Sequence, residues 1–186
     1  MVNFSPPGSL KGVAGVVHVA SVMTLSPDPN TVIPQTIAGV LNALTAAAKR
    51  PSVKRFVYTS SCAAITLPRT NLEMESDGIT WNDKVVPMAW APPPYDRSRA
   101  YIVYAASKTQ AERGAWEFVR KTKPGFVFNT VLPNGVFGEI LDPAHQHGST
   151  GRLIRQLLEG SRFPLEFDPP CKSGQLTNEP IANVVK

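Results

Sequence analysis

Three short apolar runs constrain this chain more than any other feature of its sequence. They are Val13-Ala14-Gly15-Val16-Val17-His18-Val19-Ala20, Val53-Lys54-Arg55-Phe56-Val57-Tyr58-Thr59-Ser60 and Phe126-Val127-Phe128-Asn129-Thr130-Val131-Leu132. A nearly continuous β-branched run, such as the first, suits a strand buried on both faces, as in a parallel sheet. Between the first two runs Val32, Ile33, Ile37, Val40, Leu41, Leu44 and Ala48 recur at helical spacing. Between the second and third, Ala105, Ala106, Ala111, Ala115, Trp116 and Val119 form the apolar side of a second helix over 104–120. Strands alternating with helices predict an α/β fold, three-layered around a mostly parallel sheet. The first helix is expected to be capped at Asn30 or Thr31 and to stop before Pro51, with Pro34 tolerable because it falls in the first turn. The first strand would have no outer partner, and such a flat apolar edge invites pairing with another chain.

The chemistry-bearing residues gather at the ends of these elements. Tyr104 and Lys108, in Tyr104-Ala105-Ala106-Ser107-Lys108, are i and i+4 on the second helix and so share one face. A neighbouring ammonium favours the phenolate and desolvation opposes it; with the ammonium dominant, Tyr104 would exchange a proton with a reacting oxygen near neutral pH. The second run ends in Thr59, Ser60 and Ser61, which places hydroxyls at a strand's carboxyl end, where open α/β sheets form their ligand crevice. The third ends in Pro133-Asn134-Gly135-Val136-Phe137-Gly138. A bland account also covers each feature: a surface tyrosine on a lysine stem, hydroxyls that cap a strand, and a turn after a buried strand. His18 reads as a neutral core histidine, with a ligand or proton carrier as the alternative.

Ser61, Tyr104, Lys108 and the 133–138 stretch, in this order, resemble the extended short-chain dehydrogenase/reductase family. The nearest branch holds dihydroflavonol reductases and yeast-type carbonyl (aldehyde) reductases, and the likeness covers roughly 9–160. The resemblance implies a Rossmann-like fold and an NAD or NADP cofactor, with NADP preferred. It implies that Ser61, Tyr104 and Lys108 are catalytic, with Ser60 the fallback for Ser61. It also implies that the cofactor lies against His18, Ala20, Ser21, Thr59, Ser60, Tyr104, Lys108, Pro133, Asn134 and Val136. The reaction implied is reduction of an aldehyde or ketone, with Tyr104 as the acid and Lys108 lowering its pKa. Nucleotide-sugar epimerase or dehydratase chemistry uses the same three residues and ranks lower.

Family members open on a strand, a Gly-x-x-Gly-x-x-Gly loop and a helix whose amides and dipole hold the pyrophosphate. No such fingerprint stands in this sequence. On this comparison, 1–160 form a partial Rossmann-like domain without the first βαβ unit, and 161–186 an irregular remnant of the substrate region with no complete sheet-forming element. A non-catalytic fragment that binds the cofactor weakly is therefore the alternative from another functional class.

Composition narrows the field further. The net charge of +5 is spread along the chain, with Lys49, Arg50, Lys54 and Arg55 as the one tight cluster, so no nucleic-acid stripe is expected. With 42% hydrophobic and 18% charged residues the chain is globular in composition. No signal-like amino terminus and no apolar run of about 18 residues stand out, and Cys62 and Cys171 suggest a reduced compartment, so a cytoplasmic location without membrane contact is expected. Cys62 beside Ser61 reads as a partly buried inert thiol. His145 and His147, without a third ligand close in sequence, make a weak metal site, and none is assigned. Residues 62–100 carry no firm motif and are expected to wrap the substrate side as a loop, with 85–90 lining a pocket or covering the molecule. A short helix is expected over 150–158.

Overall fold

A computed structural model of the chain describes residues 10–67, 80–136, 138, 155, 158–160 and 184–185. The α/β class expected from the sequence is borne out, with a mostly parallel sheet flanked by helices. In chain order come β1 (Gly15–His18), α1 (Pro29–Ala48), β2 (Arg55–Thr59), α2 (Val85–Ala89), α3 (Ala100–Thr122), β3 (Val127–Leu132) and β4 (Val184–Val185). The sheet order is β1-β2-β3-β4, with β1, β2 and β3 parallel and β4 antiparallel to β3. In register, Val16, Phe56 and Phe128 line up across the sheet, as do His18, Tyr58 and Thr130. Among the described residues β1 lies at the sheet's edge, as expected. The two-residue β4 corrects the expectation that nothing beyond residue 160 joins the sheet; 161–183 lie outside the described residues.

α1 starts earlier than the apolar spacing suggests. Asp28 is its cap, accepting from the backbone N–H of Asn30 at 2.9 Å, and Pro29 occupies the first turn, where its missing donor costs nothing. Pro34 therefore falls beyond the first turn, contrary to expectation, and deprives the helix of one bond on its exposed side. α1 is also long and apolar enough, by length and composition, to cross a membrane. That corrects the sequence reading: alanines, threonines and asparagines dilute the apolar residues of 29–48, and no charge interrupts them. Its Val32, Ile33, Val40, Leu44 and Ala47 are nonetheless buried in this chain's own core.

α3 begins before Tyr104, following a 3-10 turn at Arg97–Arg99 whose cap is Asp96. It ends at Lys123, whose φ of 43° breaks the helix in the left-handed region. Val40, Leu44, Ala47, Ala111 and Ala115 of the two long helices pack with Phe56 and Phe128 in one core cluster. Phe56 stacks on Phe126 with centroids 5.7 Å apart, and Trp116 meets Phe128 edge-on at 4.8 Å. Both helices thus cover the face that carries Phe56 and Tyr58. On the other face, among the described residues, Val17 is 66% and Val127 53% exposed.

The described parts of the 62–100 segment, 62–67 and 80–100, are more ordered than a wrapping loop. Cys62–Ala64 form a 3-10 turn, and Val85 and Ala89 of α2 are buried beside Val103, Ala105 and Ala106 of α3. These residues are core, and Met88 and Trp90 on the same segment are exposed. Residues 68–79 lie outside the described residues, as do Cys171, His145, His147 and most of 150–158.

Candidate active site

The carboxyl end of β2 is held against the third strand. Ser60 N–H donates to Val131 O at 2.8 Å and Cys62 N–H to Pro133 O at 3.0 Å, so pairing with the third strand continues past the end of β2. The chain then turns: Ser61 caps the 3-10 turn, its Oγ accepting from the N–H of Ala63 at 3.2 Å. Asn82 reinforces the turn, giving its backbone N–H to Ala64 O at 2.8 Å and its Nδ2 to Ala63 O at 3.2 Å. The buried Ser61 hydroxyl is thereby fixed, close enough to the Tyr104 phenol to pull its pKa down.

Lys108 is only 3% exposed, unusual for an ammonium. Its Nζ donates to Thr59 O at 3.4 Å and lies 5.8 Å from the Tyr58 ring centroid and 5.9 Å from that of Tyr104. Burial pulls its pKa down to about 8, against a partial lift from the Glu112 carboxylate. Tyr104 behaves otherwise than the sequence suggests. Burial pushes its phenol up, the nearby Ser61 hydroxyl pulls the other way, and Cys62, in its charged form, adds a smaller upward push. Desolvation therefore dominates, and near neutral pH Tyr104 is a phenol, the proton-donating form.

Ser61, Tyr104 and Lys108 are thus brought together, and Ser60 is turned away. The Ser60 hydroxyl donates to Glu112 Oε2 at 2.6 Å, which leaves Ser61 as the serine facing the tyrosine. His18 is half-buried and stacked on Tyr58 with centroids 5.8 Å apart; burial and then the Lys108 charge lower its pKa, consistent with a neutral imidazole. Ala20 is exposed and Ser21 half-buried beyond β1. Thr59 contributes its carbonyl to Lys108 and Pro133 its carbonyl to Cys62, while Asn134 Oδ1 accepts from the N–H of Gly135 at 2.9 Å and Val136 is exposed. The Cys62 thiol is half-buried and free, and burial raises its pKa, in keeping with low reactivity.

Two residues of this site escape a reading of the motifs. Tyr58 lies under both His18 and Lys108, and Glu112 lies one helical turn beyond Lys108. The signal for Glu112 was available: Tyr104, Lys108 and Glu112 are successive i+4 positions on one helix face. Among the described residues no group of three metal-ligating side chains occurs.

The buried hydroxyls of Ser21 and Tyr58 have no hydrogen-bond partner among the described residues, and Lys108 spends one long bond on a carbonyl. Such groups call for a polar ligand.

No family model matches the sequence. Individual proteins do. The chain is 45% identical over 163 residues to aldehyde reductase 2 of Sporidiobolus salmonicolor, covering 87% of this chain and 48% of that protein. Among solved structures, a reductase engineered to attenuate substrate inhibition superimposes with a TM-score of 0.64 at 26% identity, over 79% of this chain and 45% of that one. The yeast methylglyoxal/isovaleraldehyde reductase Gre2, solved with NADPH, gives a TM-score of 0.53 at 27% identity, over 71% of this chain and 39% of that one. This chain belongs to the extended short-chain dehydrogenase/reductase family. Within it the chain is homologous to NAD(P)-dependent oxidoreductases that act on carbonyl compounds. It spans about half the length of the curated relatives it matches.

Proposed function

We propose that the chain carries the catalytic half of a carbonyl reductase. The observation that bears most weight is that the Ser61 hydroxyl, fixed at the end of β2, acts on the Tyr104 phenol, while the buried Lys108 ammonium lies 5.9 Å from the Tyr104 ring centroid, one turn along the same helix. Ser61 and Tyr104 together hold the oxygen of an aldehyde or ketone. A reduced nicotinamide dinucleotide, when bound, supplies the hydride to the carbonyl carbon. Tyr104 gives its proton to the oxygen as negative charge develops there, and the alcohol results. The raised phenol pKa supports this direction, because the acid form must be present at the start. Lys108 faces the phenolate left behind and stabilises it electrostatically.

Lys108, Tyr104, Ser21, Ala20, His18, Thr59, Pro133, Asn134 and Val136 would hold the cofactor's nicotinamide half. The Ser60 side chain is committed to Glu112 and contributes through its place in the chain. NADP is preferred over NAD, as the NADPH complex of the yeast relative supports. The sequence has no glycine-rich fingerprint to grip the pyrophosphate, so affinity for NADPH is expected to be weaker than micromolar by calorimetric titration.

The test follows NADPH oxidation by the chain with a panel of aldehydes and ketones, at cofactor concentrations above the measured dissociation constant. Tyr104→Phe is expected to lower turnover by roughly 10²-fold or more with cofactor affinity unchanged. Carbonyl reduction at an undiminished rate in that variant, or none in the parent chain, refutes the proposal.

A further inference from the structure

We propose that Glu112 is the positioning residue for the Tyr104/Lys108 pair, its carboxylate clasped by one hydroxyl from β3 and one from the end of β2 while its charge faces Lys108. The proposal rests on the reading of Tyr104 and Lys108 as the reacting pair. Glu112 is fully buried, at 0% exposure. Ser60 Oγ donates to its Oε2 at 2.6 Å and Thr130 Oγ1 to its Oε1 at 3.3 Å. A carboxylate in such a place is costly unless its oxygens are bonded, and these hydroxyls stand at two fixed points of the sheet.

The consequence is a register lock. Ser60 immediately precedes Ser61, and Glu112 is one turn from Lys108 and two from Tyr104. If α3 slid by one residue, both hydroxyl bonds would break and a buried charge would lose these two donors. The same clasp that seats the helix therefore brings the Tyr104 phenol to the Ser61 hydroxyl.

The second part of the role is electrostatic. The groups facing Lys108 are His18 from β1, the Tyr58 ring and the Thr59 carbonyl from β2, and Tyr104 and Glu112 from its own helix. Of these Glu112 is the carboxylate, and it offsets part of the burial that drives Lys108 toward the neutral amine.

The experiment reads the Lys108 side chain directly, by NMR titration of the lysine ε-methylene signals of the full chain, with Lys108→Met identifying the resonance. Glu112→Gln is expected to lower the Lys108 midpoint by about one pH unit in a protein that remains folded. Glu112→Asp, which keeps the charge, is expected to return most of that shift. A folded Glu112→Gln chain with an unchanged Lys108 midpoint overturns the proposal, as does a Glu112→Asp midpoint as low as that of Glu112→Gln. Should Glu112→Gln not fold, Ser60→Ala serves instead. Removing one donor disfavours the ionised carboxylate, so the Lys108 midpoint is expected to fall, and a rise or no change overturns the proposal. None of these readings needs turnover, so an inactive parent chain would refute the reductase function and leave the Glu112 result standing or falling separately.

Discussion

On β2, Phe56 and Tyr58 lie beneath α1 and α3 and are buried, whereas Val17 of β1 and Val127 of β3, on the opposite face of the same sheet, are 66% and 53% exposed. The strands supply apolar side chains to both faces in alternation, so composition does not separate the two. What separates them is whether something lies across them. The site stands on the covered side, where burial raises the Tyr104 phenol, lowers Lys108 and makes the Glu112 clasp strong.

That contrast can be broken experimentally. The largest expected effect is at the covered face: Phe56→Ala removes a ring packed against Phe126 and Phe128 and should cost about 4 kcal/mol in urea unfolding. A loss under about 1 kcal/mol would mean that this face is as loosely covered as the other.

Lys108 gives a second measure of burial, through pH. Its native pKa of about 8 lies below the unfolded value, so between these pH values the unfolded chain binds more protons and stability rises with pH. The burial penalty is complete below about pH 8 and is relieved above it, by on the order of 2 kcal/mol at pH 10. Beyond about pH 10 the buried tyrosines, whose phenols are pushed up, oppose the trend as the unfolded chain loses its phenol protons first. Lys108→Met should abolish the rise, seen as a urea midpoint that no longer climbs from pH 8 to 10. An identical climb in the variant would show that another group is responsible.

The smallest effect is expected on the open face. Val17→Thr and Val127→Thr should each change stability by about 0.5 kcal/mol or less, because little apolar area leaves water there on folding. A cost of about 1 kcal/mol or more, growing with protein concentration, would show that this face or the β1 edge beside it is covered by a second chain. Sedimentation velocity at the same concentrations distinguishes the two cases.

Much of the fold was legible because the period of hydrophobicity is a local property. The spacing of Val32 to Leu44 announced α1, and the runs ending at Ser60 and Leu132 announced β2 and β3. The boundaries were less legible: Asp28, two residues ahead of the expected cap, holds the helix start through its carboxylate. α2 was missed altogether, since a helix this short has too few apolar positions to show a period, and its burial comes from α3.

The sequence by itself determined the α/β alternation, the helical spacing of Tyr104 and Lys108, and the supply of hydroxyls at the end of β2, all of which follow from backbone periodicity within one element. Only the tertiary structure decided which serine meets the tyrosine, that Tyr104 is held as a phenol, that Glu112 lies between Ser60 and Thr130, and which face of the sheet the helices cover. Those outcomes depend on distance and desolvation between residues far apart in the chain. Ser60 and Glu112 are 52 positions apart and 2.6 Å from one another, and no period within either segment encodes that meeting.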